Sequence, residues 1–334
     1  MGSNGRIGSW VRVGAWACAM LVLALPAAFG QQFVERGQTG GAACLEAMSA
    51  AGPGRAGTAC DHRALEELAR SGQAFAENQL GIESALVLSP KRTIGDARKW
   101  FERAAGRGYT PAQVNLAVLY LNGWGVQQNY GAALYWLKTA ADEGNARAHT
   151  NLGILYLKGL GVTQDYEEAQ KHFEMAADKG ETGAMVDLGY LNDAGLGTPK
   201  NTEAAVKWYR RAAEAGDALG ENNLADLYLR GVGLEQSDAQ ALTWFRKAAE
   251  QGNTGARIKL GYMYASGRAG KADAETAYAW ICAATLAGDA RGKEYLAALE
   301  KELTAEQLER AKSKAQALKN GVKAGAITEM AFVR

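Results

Sequence analysis

Residues 109–252 repeat one pattern every 36 residues without an insertion or deletion. Four columns make the period visible. Leu80, Leu116, Leu152, Leu188, Leu224 and Leu260 form one, and Ala97, Ala133, Ala169, Ala205, Ala241 and Ala277 a second. Trp100, Trp136, His172, Trp208, Trp244 and Trp280 form a third, and Gly108, Gly144, Gly180, Gly216, Gly252 and Gly288 a fourth. A fixed period of this length means that each unit is one supersecondary element whose apolar face is buried only against its neighbours. The core must therefore grow along one axis.

Each unit predicts two helices. In 145–180, Ala148, Leu152, Leu155 and Tyr156 share one face at helical spacing, and Ala169, Phe173 and Ala176 do the same in the second half. Between them lies Gly159-Leu160-Gly161-Val162, matched by Gly123-Trp124-Gly125-Val126 and Gly231-Val232-Gly233-Leu234. The first glycine suits a helix C-terminus in the left-handed region, and Gly180 and its equivalents end the second helix in the same way. The fold class expected is all-α, an α/α solenoid of helix-loop-helix repeats at 73–108, 109–144, 145–180, 181–216, 217–252 and 253–288.

The pattern AxxxLGxxYxxGxGVxxDxxxAxxWxxxAAxxG, nearly intact in 112–144 and 148–180, resembles the Sel-one-like repeat, a relative of the tetratricopeptide repeat. The resemblance spans 73–288. It implies a right-handed superhelix and a non-catalytic adaptor that presents a concave surface to a protein partner. Departures fall in three units: Val87-Leu88-Ser89-Pro90 replaces the glycine loop, Asn192 the tyrosine and His172 the tryptophan. The repeats also lack the helix-clipping cysteine pairs of the cysteine-rich secreted members.

The flanks are read from local signals. Residues 1–30 resemble a secretory signal peptide, with Arg6 and Arg12 ahead of an apolar run from Val13 to Leu25 and Ala28-Phe29-Gly30 before Gln31. An uncleaved anchor is the other reading, although the run is short of the roughly 20 residues that span a bilayer. No other segment is apolar enough to cross a membrane. Residues 31–72 read as a flexible segment followed by a degenerate helical unit, in which Ala64, Ala69 and Gly72 keep the register. Cys44 and Cys60 are either a disulfide, which would stabilise by about 3 kcal/mol if unstrained, or two buried thiols. In 289–321, Thr304 and Gln307 fit a capping box opening a helix that runs to about Leu318, a helical cap for the open end, and 322–334 read as a loose tail.

Composition excludes several functions. The formal charge of the whole chain is +1, without the basic clustering that nucleic-acid binding requires. The glycine loops follow a helix and lack the Lys-Ser/Thr of a phosphate loop, so no nucleotide or other cofactor is expected. Three histidines, His62, His149 and His172, lie on different helices with no recurring acidic partner, so neither a metal site nor a catalytic cluster is expected. Some members of the resembled family bind or hydrolyse β-lactams, but Ser-x-x-Lys, Ser-Asp-Asn and Lys-Thr-Gly are all absent. A β-lactamase-like enzyme and a glycan-associated envelope assembly factor remain the alternatives to the adaptor.

Recurring aromatics are expected to be core, which leaves function to columns not fixed by packing. On the first helix of each unit, helix A, positions 3, 7, 10 and 14 point away from the Leu/Ala/Tyr face. Position 7 supplies Asn115, Asn151, Asp187, Asn223 and Lys259; position 10 supplies Ile154, Tyr190 and Tyr262; position 14 supplies Asn122, Lys158 and Arg230. An asparagine ladder flanked by cations suits hydrogen bonding to the backbone of an extended segment, with the aromatics as anchors.

Overall fold

The computed structural model describes residues 62–85 and 94–320, so the leader and the Cys44 and Cys60 pair lie outside the described residues. Within them there is no strand. Helices α1 (His62–Arg70), α2 (Ala74–Ala85) and α3 (Ile94–Gly106) open the array. Four units follow in the same rhythm: α4 (Thr110–Asn122) with α5 (Tyr130–Asp142), α6 (Ala146–Lys158) with α7 (Tyr166–Ala177), α8 (Thr182–Ala194) with α9 (Thr202–Glu214), and α10 (Ala218–Arg230) with α11 (Asp238–Glu250). The last unit is α12 (Thr254–Ser266) with α13 (Ala274–Leu286), and α14 (Lys293–Leu299) and α15 (Ala305–Asn320) pack behind it.

Capping explains why the helices start and stop in phase. Asn129, Asp165, Asn201, Ser237 and Asp273 stand at one column, and each side chain accepts a hydrogen bond from the first turn of its second helix. Their backbone N–H groups each donate to a carbonyl in the tyrosine column, among them Asn129 to Tyr120 at 2.9 Å and Asp165 to Tyr156 at 3.0 Å. The loop is thereby closed onto helix A. Gly123, Gly159, Gly195 and Gly231 end helix A with φ between 66° and 70°. The second glycine of the loop answers a different need: a Cβ at Gly161 would lie 2.5 Å from the Tyr130 Cβ, and one at Gly233 would lie 2.8 Å from the Thr202 carbonyl oxygen. Each loop rests on the start of the preceding unit's second helix, and only glycine fits there.

The core runs the length of the stack as overlapping clusters. Its centre is the column Phe101, Leu137, Phe173, Tyr209, Phe245 and Ile281, all buried. The tryptophan column lies one residue earlier and is different. Trp100, Trp136, Trp208 and Trp244 are only half-buried, which corrects the expectation of a fully interior column. Cations cover three of them: Arg103 lies 4.9 Å from the Trp100 centroid, Arg211 4.6 Å from Trp208 and Lys247 4.1 Å from Trp244. Trp280 is buried, and the C-terminal end of α15 lies beside it.

Candidate functional site

Helix A of each unit stands beside helix A of the next, and this neighbour changes the reading of position 7. Asn115 is fully buried and donates from Nδ2 to Asn78 Oδ1 on the preceding helix A at 3.0 Å. Asn151 is also buried, and its Nδ2 donates to the Arg147 carbonyl one turn earlier at 2.8 Å. Asn115 belongs to the seam between units and Asn151 is turned back onto its own helix, so neither stands in an open ladder. A helical wheel drawn for one helix cannot show this, because the occluding surface comes from the adjacent repeat.

The remaining position-7 side chains are half-buried. Asn223 accepts from Asn222 Nδ2 at 3.0 Å. Lys259 donates to Asp226 at 2.8 Å, across the seam, while Arg230 reaches the same carboxylate at 3.1 Å. Burial pushes the Asp226 carboxyl up, but Lys259 and Arg230 outweigh it and hold the group below the usual carboxylate range. Asp226 is the residue that joins two predicted cations, and it was missed as an acid in an otherwise apolar or aromatic column. Asp187 is half-buried. At position 14, Asn122 donates to its own helix at Val118 O, 2.9 Å away, and Lys158 and Arg230 are exposed.

Position 10 changes along the array. Ile82 and Val118 are buried, Ile154 and Tyr262 are half-buried, and Tyr190 is 43% exposed. Among the described residues of the first helices, Tyr190 is the one large hydrophobic side chain left open to solvent. The tyrosine column proper is tied down: Arg210 donates to the Tyr228 hydroxyl at 3.3 Å and Arg246 to that of Tyr264 at 2.9 Å, each from the unit before. One further pair escaped the sequence reading. His149 and His172, on different helices, meet with their Nδ1 atoms 3.1 Å apart.

The family model described as the Sel1 repeat matches residues 93–109, 110–145, 146–181, 182–217, 218–253 and 255–289, more than half of the chain. No curated protein shows a significant match. Among solved structures, a Sel1 repeat protein from Oxalobacter formigenes is similar at 29% identity and a TM-score of 0.62, over 68% of this chain and 100% of that one. A protective antigen with an SLR fold from uropathogenic Escherichia coli is 27% identical over 80% of this chain and 66% of its own, with a TM-score of 0.46. An immunity protein from Pseudomonas aeruginosa is 18% identical over 73% and 82%, with a TM-score of 0.45. With its columns, its helix pairs and the family model in agreement, the chain belongs to the Sel1 repeat family, a tetratricopeptide-like helical solenoid.

Proposed function

We propose that the protein is an exported, non-catalytic scaffold that holds a protein partner on the concave surface formed by its A helices. Sel1 repeat proteins typically act as scaffolds for protein interaction. The observation that carries the reading is Tyr190. It is an amphipathic ring left 43% exposed on a face where the comparable side chains are buried or half-buried. Exposed tyrosines supply large contact area at small entropic cost, and the ion-paired cluster of Asp226, Arg230 and Lys259 gives the adjacent surface a polar rim. Tyr262 provides a second, half-buried anchor, with Lys158, Asp187 and Asn223 around the two. Export rests on the apolar run Val13–Leu25 ahead of a small-residue cleavage site, and no helix among the described residues is long and apolar enough to cross a membrane.

The test is cross-linking capture from the native envelope fraction with three chains: wild type, Tyr190→Ala and Met175→Ser. Met175 is exposed at 48% on the second helix of its unit and controls for loss of apolar surface in general. A partner lost with Tyr190→Ala and retained with Met175→Ser supports the A-helix surface. Retention by the first and loss by the second moves the site to the B helices, and capture of nothing by wild type rejects the scaffold reading. Sequencing the N-terminus of the secreted chain checks export, with Gln31 as the expected first residue.

A further inference from the structure

His149 and His172 occupy positions at which no other unit carries a histidine, and the two fall in the same unit. The column of His149 otherwise holds Glu77, Gln113, Met185, Glu221 and Arg257, and that of His172 holds five tryptophans. The two side chains turn toward each other across the helix pair, Nδ1 to Nδ1 at 3.1 Å with ring planes 33° apart. Tyr156 stacks on the His172 ring at 5.6 Å and fixes its plane. Two neutral imidazoles in this contact share a single Nδ1 proton. Its transfer to Nε2 by tautomerisation leaves a lone pair on each of the two facing nitrogens.

We propose that His149 and His172 form a binding site for one divalent transition-metal ion of the copper, nickel and zinc group, held by the two Nδ1 atoms with water completing its coordination. Imidazole nitrogens bind such ions at about 2.0–2.1 Å, so a 3.1 Å separation corresponds to an angle of about 100° at the metal. That lies between the roughly 90° of a square-planar and the roughly 109° of a tetrahedral ion. Both rings are half-buried and retain access for water ligands. Among the described residues no third His, Cys, Asp or Glu completes a ligand set, so the protein contributes two ligands.

Protonation favours the site at neutral pH. Burial, then Lys179, lowers the pKa of His149, and burial, then His149 itself, lowers that of His172. Both imidazoles are therefore neutral and free to bind. The facing charges are mixed: Asp142 and Glu168 attract a cation, Lys138, Lys171 and Lys179 oppose it, and Lys171 is paired with Glu168 at 2.5 Å.

The experiment is a calorimetric titration of the full chain, without a histidine tag, with Cu2+ at about pH 7, where imidazole competes little with protons. The chain supplies its own controls. His172→Trp installs the residue of the other five units, and His149→Gln installs that of the second. One ion per chain is expected for wild type and for His62→Asn, with affinity about tenfold or more lower in His172→Trp and His149→Gln. Electron paramagnetic resonance of the wild-type copper complex is expected to show coupling to two imidazole nitrogens. No stoichiometric uptake by wild type, uptake unchanged in both column variants, uptake lost in His62→Asn, or a spectrum without the two nitrogens would each overturn the site.

Discussion

Where the two helices of a unit cross, glycine on helix A meets a large side chain of helix B in four units. Gly81 faces Phe101, Gly153 faces Phe173, Gly189 faces Tyr209 and Gly261 faces Ile281, and a Cβ on any of these glycines would fall about 2.5–2.6 Å from the opposing side chain. In the second unit the same pair of positions holds Ala117 and Leu137, and in the fifth Ala225 and Phe245. Gly153→Ala is therefore expected to destabilise by about 1–3 kcal/mol through overpacking, and adding Phe173→Leu to recover part of the loss, read from denaturant melts of the single and double variants. In the same seam Leu152 is 1% exposed, so Leu152→Ala is expected to cost about 2–5 kcal/mol. The leucine column was legible because burial fixes one residue type at one spacing. The burial of Asn115 and Asn151 was not, since a column records what recurs within a helix and carries nothing about which neighbour covers it. The His149–His172 contact was hidden for a related reason: it joins a residue of a variable column to a departure from the tryptophan column, and neither recurs.

At the scale of helices, the end of the array is held by two devices of different legibility. Thr304 and Gln307 form a reciprocal capping box at the start of α15, with Thr304 N–H to Gln307 Oε1 at 2.9 Å and Gln307 N–H to Thr304 Oγ1 at 3.2 Å. Such a local pattern can be read directly from four residues. Arg257 cannot be read so. It is 1% exposed and donates to the carbonyls of Ala249, Ala283 and Leu318, near the C-terminal ends of α11, α13 and α15. Three helix ends supply the negative partial charge that a carboxylate supplies elsewhere. Arg257→Met is expected to remove one partner from each of those carbonyls, leaving Ala249 and Ala283 with their backbone partners Gly252 and Ala287, and to destabilise the array by about 1–3 kcal/mol, with α15 losing hydrogen-exchange protection before α11 does. A second clamp is pH-dependent. Arg310 and Lys314 reach from α15 to Glu275 on α13 at 3.0 and 2.7 Å, and they hold its carboxyl down at about 2 from an ordinary 4.5. Because the folded pKa is depressed, this contribution is complete above about 4.5 and disappears as pH falls toward 2. The melting temperature of Glu275→Gln is thus expected to lie below that of wild type at neutral pH and to converge with it as acid is added.

The whole molecule is an array in which each unit touches its neighbours, so its integrity should depend on phase more than on length. Deleting 181–216 removes α8 and α9, one complete 36-residue period, and joins Gly180 to Asp217. Every column is preserved across that junction. Gly180 still ends α7 with its positive φ, and Asp217 still caps α10 by accepting from Leu219 and Gly220. Leu224 and Leu227 of α10 then take the places that Leu188 and Leu191 of α8 held against α7, leucine for leucine. The glycine loop at Gly233 meets the start of α7, where Tyr166 replaces Thr202, and the native loop at Gly197 already rests on Tyr166. The shortened chain is expected to stay helical and to melt cooperatively at a lower temperature than wild type. A deletion of 181–198, half a period, takes away helix A and leaves α9 to pack where α10-type residues belong. That places Val206 and Tyr209 opposite a surface shaped for Leu188 and Leu191, and the chain is expected to lose cooperative melting. Circular dichroism melts of the two deletions decide the point: equal damage from both would mean that the units do not behave as interchangeable repeats, and an intact half-period deletion would mean that phase is not what holds the array together.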